Sequence, residues 1–461
     1  MLNCFSTSTT DAIPLTLIPQ KTFADWQTTQ DASTKQWLTS TQFRTELGSV
    51  SLIPDLTGKL SRVVCCIADY DNVWNAGHLP NFLPEGKYIL DIDKKYYSQL
   101  AIGWGLGAYQ FTRYKKPTRN PAQLVLPEFC DVNYIENMVA NIYSVRDWIN
   151  TPTDDMGPSE LAEAAMKVAK ESGAKIKQIV GDDLLQENYA AIYTVGRASD
   201  DAPRLLDMHW GNAKHPKVTL VGKGVCFDSG GLDIKNSANM LLMKKDMAGA
   251  AHVLGLARMI MQAKLPINLR VLMPMVENVI SGNAYRPGDI IKSRKGITIE
   301  IGNTDAEGRV ILSDALTEAA SDKPDLLIDI STLTGAARVA LGTELPAMFC
   351  NNDVLADEII KHSRKENDPL WRMPLFAPYR EHLNSTIADI NNNSNDPYAG
   401  AISAALFLKE FVPDELPWLH FDLMAWNLKA KPGRPAGGEA MALRALYSYL
   451  AMKYGSPNIT A

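Results

Sequence analysis

The chain is poor in the features that would mark a disulfide-stapled, membrane-spanning or polyionic protein. Its six cysteines (Cys4, Cys65, Cys66, Cys130, Cys226, Cys350) form no CxxC pair and no dense spacing, which argues against a disulfide framework and for reduced thiols. No stretch approaches the roughly 20 uncharged apolar residues of a membrane span. The best runs, 99–112 and 326–342, are too polar or are broken by Asp329 and Arg338. Met1 to Thr10 shows no basic start followed by an apolar run, so no export signal is read and a cytoplasmic location is expected. The 46 basic and 52 acidic residues leave a formal charge of −6, which gives no support to a role on nucleic acid or a membrane surface. Several reactive-site patterns are missing too. The seven histidines form no HExxH, the helical pair of a single-zinc protease. Phe227 stands where a GxSxG around Ser229 would need its first glycine. Gly222, Lys223 and Gly224 lack the spacing of a phosphate-binding P-loop. Cys226 reads as a buried strand-end thiol rather than a nucleophile.

What is present is length and alternation. At 461 residues the chain has room for two or three domains and a large core. The first part, with the β-prone Val63 to Ile67 and aromatics spaced for helical faces between Phe23 and Phe43, reads as a smaller α/β unit over 1–120. The polar, proline-bearing Thr118 to Glu128 makes 121–145 a linker, and 146–461 follows as a large domain. There the pattern alternates: helix 159–172 with Ser159 to cap its start and Gly173 to end it, strand 218–221, helix 248–263, strand 268–274, helix 310–320, strand 326–331 and helix 401–411. Strands separated by helices imply an α/β fold with a mixed, mostly parallel sheet covered by helices on both faces.

Two segments carry the chemistry. Val221 to Asp246 follows an apolar strand and presents Lys223, Asp228, Lys235 and Asp246 around Ser229, Gly230 and Gly231. Ligands of open α/β sheets bind beyond the carboxyl ends of strands, so this loop is placed to line a pocket. Read residue by residue, it is equally a glycine-rich turn with solvated charges. The second segment, Ile301 to Asp314, places Asp305 and Glu307 two apart, on one side of an extended stretch. Like charges so close repel unless a cation neutralises them, and Arg309 supplies one positive charge. Acids near a helix start are also favoured by its dipole, which is the plainer reading. Together the segments offer four carboxylates able to bridge two divalent ions, the arrangement of a two-metal hydrolase.

Asn303 to Arg309, NTDAEGR, resembles the signature of the cytosol (leucyl) aminopeptidase family of dinuclear metallo-exopeptidases. GKGVCFDSGG at 222–231, NTPTDDM at 150–156, SGNAYRPGD at 281–289, STLTGA at 331–336 and AISAALFLKEFV at 401–412 resemble further family blocks in the expected order. The resemblance implies that Asp228 and Glu307 each contact both metals, that Asp305 belongs to one, and that Asp246 and a neutral Lys223 amine belong to the other. It makes the ions zinc or manganese, with magnesium as a further candidate. It implies a hydroxide between the metals as nucleophile, and Lys235 and Arg309 as catalytic positions, Arg309 holding a bicarbonate. It implies Met243, Leu333 and Gly335 as the pocket for the first side chain, with Leu preferred. It further implies a homohexamer of two trimers acting on peptides in intracellular turnover, with no membrane partner. Some family members also bind DNA, a second role that the mild net acidity does not support.

Overall fold

The structure is a computed structural model and describes residues 1–455. It divides into two compact units, one made of 1–143 with 429–436, the other of 144–428 with 437 onward. The first holds a six-stranded sheet in the order Phe5–Ser6, Gln123–Val125, Lys87–Leu90, Ile13–Pro19, Leu60–Ile67, Val50–Pro54, antiparallel only at the last pair. Its aromatic stretch forms helices Phe23–Thr28 and Ala32–Ser40. Phe23 and Leu38 bury against Ile18, Ile53 and Val64 of the sheet, with Trp26, Trp37 and Phe43 packed alongside.

The stretch 121–145, expected as a linker, is structured. It contains the strand Gln123–Val125 and most of the helix Val132–Asn150, and the boundary between the units falls inside that helix. Ile135, Met138, Val139, Ile142, Val145 and Ile149 recur at three- and four-residue intervals and are buried. That is a helical apolar stripe, which the polar residues just before it obscured.

The second unit is built on a nine-stranded main sheet: β1 (Lys175–Val180), β2 (Arg204–Trp210), β3 (Lys217–Gly222), β4 (Gly224–Asp228), β5 (Asn268–Asn278), β6 (Leu326–Ser331), β7 (Ala347–Cys350), β8 (Trp371–Arg372) and β9 (Trp418–Asp422). The order across the sheet is β8-β7-β9-β6-β3-β5-β2-β1, with β4 also paired to β5. The centre, β9-β6-β3-β5 and β4, is parallel, and the flanks β7/β9, β5/β2 and β2/β1 are antiparallel. This is the mixed, mostly parallel α/β sheet that the alternation predicts. The central strands read as continuous apolar runs because both faces are covered. Helix α1 (Pro158–Ser172) starts one residue before the expected range. Its cap is Gly157, whose N–H donates to Glu160 Oε2, while Ser159 donates to Asp201. Gly173 ends it in the left-handed region at φ +68°. Helix α2 (Ala248–Gln262) packs on β3 and β6, and helix α3 (Glu307–Ser321) on β3 and β5. Val221, Leu272 and Leu327 share a core cluster with Val310, Ile311 and Leu312 of α3. All six cysteines are buried and free. No helix among the described residues is long and apolar enough to cross a membrane.

Helix α3 is fixed by an acid in its buried face. Asp314 accepts N–H bonds from Ala191 and Ile192 through Oδ2 and from Arg294 through Oδ1. Burial nevertheless pushes its carboxyl up from 3.8 to about 7, against those three N–H groups. The folded chain therefore holds this proton more tightly than the unfolded one, and the carboxyl's contribution to stability is full at acid pH and lost as pH rises toward about 7. Urea midpoints at pH values of about 5 and about 7 should fall more in the parent chain than in Asp314→Asn, which cannot ionise there. Parallel slopes for the two would contradict this.

Candidate active site

Four segments of the second unit converge at the carboxyl ends of the parallel strands. Lys223 leaves β3, and Asp228 is the last residue of β4. Asp246 lies in a short 3₁₀ turn, Met243–Met247, that feeds α2. Asp305 and Glu307 sit at the start of α3, of which Glu307 is the first residue. An acid there is favoured by the exposed N–H groups of the first turn. Residues scattered along the sequence thus meet because parallel strands deliver their following loops to one edge.

Two lysines tie these segments together. Lys223 Nζ lies 2.7 Å from Asp246 Oδ2 and 2.8 Å from Glu307 Oε1, and donates to the Thr332 carbonyl at 3.2 Å. Lys235 Nζ lies 2.8 Å from Asp228 Oδ2 and pairs also with Asp305. The approach of Lys223 to α3 needs Gly308: a Cβ there would fall 2.5 Å from Lys223 Cε and 2.7 Å from Nζ. All six side chains line one cavity of ≈ 730 Å³, and Met243, Leu333 and Gly335 line it too. Arg309 does not. It is buried, donates from Nη1 to the Asn392 carbonyl at 2.8 Å, and leaves Nε without a hydrogen-bond partner. Burial lowers its pKa to about 10 against the attraction of Glu307 and Asp422.

Neutral side chains that chemical motifs do not flag hold the acids in place. Asn278, at the end of β5, donates from Nδ2 to Asp228 Oδ1 at 2.9 Å and to the Thr304 carbonyl at 3.0 Å. Thr304 donates its N–H to Asp233 Oδ2 and its hydroxyl to the Gly230 carbonyl, stitching the two motif loops. Thr332 donates to Asp246 Oδ1 at 2.7 Å. Asp422, at the end of β9, receives the Leu333 and Thr334 N–H groups. Only a feature of topology, a polar residue directly after an apolar strand, could have drawn attention to Asn278 and Thr332.

The charges do not balance. Four carboxylates pair directly with two ammonium groups, Lys223 and Lys235, and a third lysine, Lys245, is buried beside Asp246. Burial, reinforced by Asp228, pushes Asp305 up to about 6 and Glu307 up to about 8. Burial favours neutral lysines, but the surrounding carboxylates outweigh it and hold both above their ordinary value. Asp246 is held low: burial opposes this, and Lys223 and Lys245 prevail. Ligand oxygens of Asp228, Asp305 and Glu307 all lie within 4.8 Å of one another. Glu307 Oε2 is buried without a hydrogen-bond partner. A hard-oxygen set with surplus negative charge and an unpartnered carboxylate oxygen fits divalent cations. Asp246 stands outside that group and reaches it through Lys223.

Known proteins share this architecture. Residues 143–447 match the cytosol aminopeptidase family, catalytic domain, and residues 13–127 match the M17 aminopeptidase N-terminal domain. A probable cytosol aminopeptidase 1 of Shewanella oneidensis is 37% identical over 364 residues, covering 77% of this chain and 72% of that protein. The crystal structure of a cytosol aminopeptidase from Coxiella burnetii is 53% identical, with a TM-score of 0.95 over 98% of this chain and 100% of that one. The bottromycin maturation enzyme BotP in complex with Mn is 30% identical, with a TM-score of 0.85 over 96% of this chain and 100% of that one.

The assembly is open to a direct test. Gly308→Ala drives a methyl into Lys223, and Asn278→Ala removes the amide that orients Asp228. Each should weaken Mn²⁺ binding, measured by isothermal titration, at least about tenfold while far-UV circular dichroism stays unchanged. Full-strength binding in both variants would contradict the arrangement.

Proposed function

The chain belongs to the cytosol aminopeptidase family and is a metallo-aminopeptidase, and from that premise we propose that it releases N-terminal residues, Leu preferred, from peptides with the help of two divalent cations. The observation that carries this reading is the group of Asp228, Asp305 and Glu307, two of them buried and Asp305 half-buried, with its unpartnered Glu307 oxygen. Asp228 and Glu307 would hold both ions, Asp305 would complete one site, and Asp246 with Lys223, once an entering cation displaces its proton, would complete the other. Zinc and manganese suit this donor set, and magnesium suits its oxygens. Bound there, such ions polarise a scissile carbonyl and bring the pKa of water toward neutrality.

The chain's own groups divide the remaining work. The substrate's free α-amine would bind at one of the two cation sites, which confines cleavage to the first peptide bond. Lys235 Nζ, kept an ammonium by Asp228, Glu307 and Asp305, donates to the oxygen on which negative charge develops during attack. Arg309, with its buried Nε lacking a partner, would hold a bicarbonate, a small base able to carry a proton between water and leaving amine. Met243, Leu333 and Gly335 form the wall against which the first side chain packs. The family membership supports further readings: a homohexamer of two trimers, a cytoplasmic location and a part in intracellular peptide turnover.

Asp305→Asn and Glu307→Gln are expected to abolish hydrolysis of leucyl-p-nitroanilide with the fold retained. Lys235→Met should lower kcat by about 10²- to 10³-fold. Turnover that survives exhaustive chelation would sink the two-cation reading, and light scattering from a monomer would sink the hexamer.

A further inference from the structure

The cavity contains a cation that the chemistry just described does not use. Arg338 lies on the short helix Gly335–Leu341, which follows the site residues Thr332 and Leu333. It lines the cavity together with Leu333, Gly335 and Met424. Its guanidinium is half-buried, and Nη1 approaches the Met424 thioether sulfur at 3.4 Å. A Cβ on Gly335 would come within 3.3 Å of Nη2, so the guanidinium lies directly against the residue expected to wall the first-side-chain pocket.

Every carboxylate that lines the cavity is engaged by something other than Arg338. Asp246 and Glu307 are held by Lys223, and Asp228 and Asp305 by Lys235. Asp233 is held by the N–H and hydroxyl of Thr304. Among the described residues Arg338 has no carboxylate partner of its own. A guanidinium presents a fixed fork of donors that fits a carboxylate in two parallel bonds. A thioether is a weak acceptor and leaves most of that capacity unused.

Building on the aminopeptidase reading of this site, we infer that Arg338 sets the charge selectivity of the first-side-chain pocket, admitting N-terminal glutamyl and aspartyl residues beside apolar ones and rejecting lysyl and arginyl ones. An apolar side chain packs on Met243, Leu333 and Met424 before it reaches the guanidinium. An acidic one of similar length extends its carboxylate to the Arg338 fork. A basic one brings like charge against like and loses its water with nothing in return. The carboxylate recognised is that of the first side chain rather than the C-terminus of a dipeptide, because Arg338 shares its wall with Leu333 and Gly335.

The test compares kcat/KM of the metal-loaded full chain on glutamyl-, leucyl- and lysyl-p-nitroanilide, none of which has a C-terminal carboxylate. Arg338→Gln should lower the glutamyl-to-leucyl ratio at least about tenfold, since a site built around a charged partner discriminates strongly once that partner is lost. Arg338→Lys should restore part of the ratio, and Arg338→Glu should raise the lysyl-to-leucyl ratio above that of the parent chain. A glutamyl-to-leucyl ratio unchanged in Arg338→Gln overturns the assignment, as does an equal loss on all three substrates, which is what a purely structural arginine would give. Leucyl-glycine and its C-terminal amide form the second arm. A preference for the free acid that Arg338→Gln erases, with the nitroanilide ratios unmoved, assigns Arg338 to the C-terminus and also overturns the proposal. A parent chain inactive on every aminoacyl substrate would instead remove the aminopeptidase reading, and this inference with it.

Discussion

Surplus negative charge held out of water is the constraint on which the rest of the second unit depends. Sheet topology brings four carboxylates together beside fewer lysines, and burial, reinforced by Asp228, pushes Asp305 and Glu307 up. The fold restrains them by several means at once. Lys223 and Lys235 each clamp carboxylates from two different segments. Asn278 and Thr332 fix one further oxygen each of Asp228 and Asp246 with neutral donors that add no charge. Gly308 opens the first turn of α3 so that a lysine can lie against it. Each of these choices serves the same end, a pocket that holds more carboxylates than lysines.

Chemistry and recognition occupy different walls of the cavity. The acids and their lysines gather on the loops after β3 and β4 and at the start of α3. The helix that begins at Gly335 carries a cation facing the same space. On the reading proposed above, a peptide entering the cavity would be read at two places, at its amine by the carboxylate-lined cation site and at its first side chain by Arg338. Separation of the two lets a substitution on the helix alter selectivity without entering the reacting centre.

The alternation of apolar strands with helices was legible because a sheet buried on both faces writes itself as uninterrupted hydrophobic runs, as in Leu326–Ser331. Edge strands were harder. Lys175–Val180 mixes Lys and Gln with Ile because one face meets solvent, and it resembles a loop until its partner is known. The helix Val132–Asn150 was hidden by the proline-bearing stretch ahead of it, although its buried residues keep helical spacing. At the site, the charged residues were visible since clustered acids and lysines demand an explanation. Asn278 and Thr332 were not, because a single amide or hydroxyl carries no chemical signature until the residue it orients is in place. Arg309 was expected beside the acids; the structure turns it inward to the Asn392 carbonyl, a contact across 83 positions that no local spacing could reveal.

The span of these contacts also bears on how the protein comes into being. Lys223 meets Thr332 across 109 positions, and Lys235 meets Asp305 across 70, so no fragment of local structure contains the whole site. Loop closure over such distances must be met before the contacts can reward it. The cation-binding surface consequently matures only when the parallel centre of the sheet is complete. During synthesis, a chain that ends before β6 already carries the six charged residues but lacks Thr332 and the wall that follows it. Topology thus leaves the cavity to be closed by residues made after its charged groups.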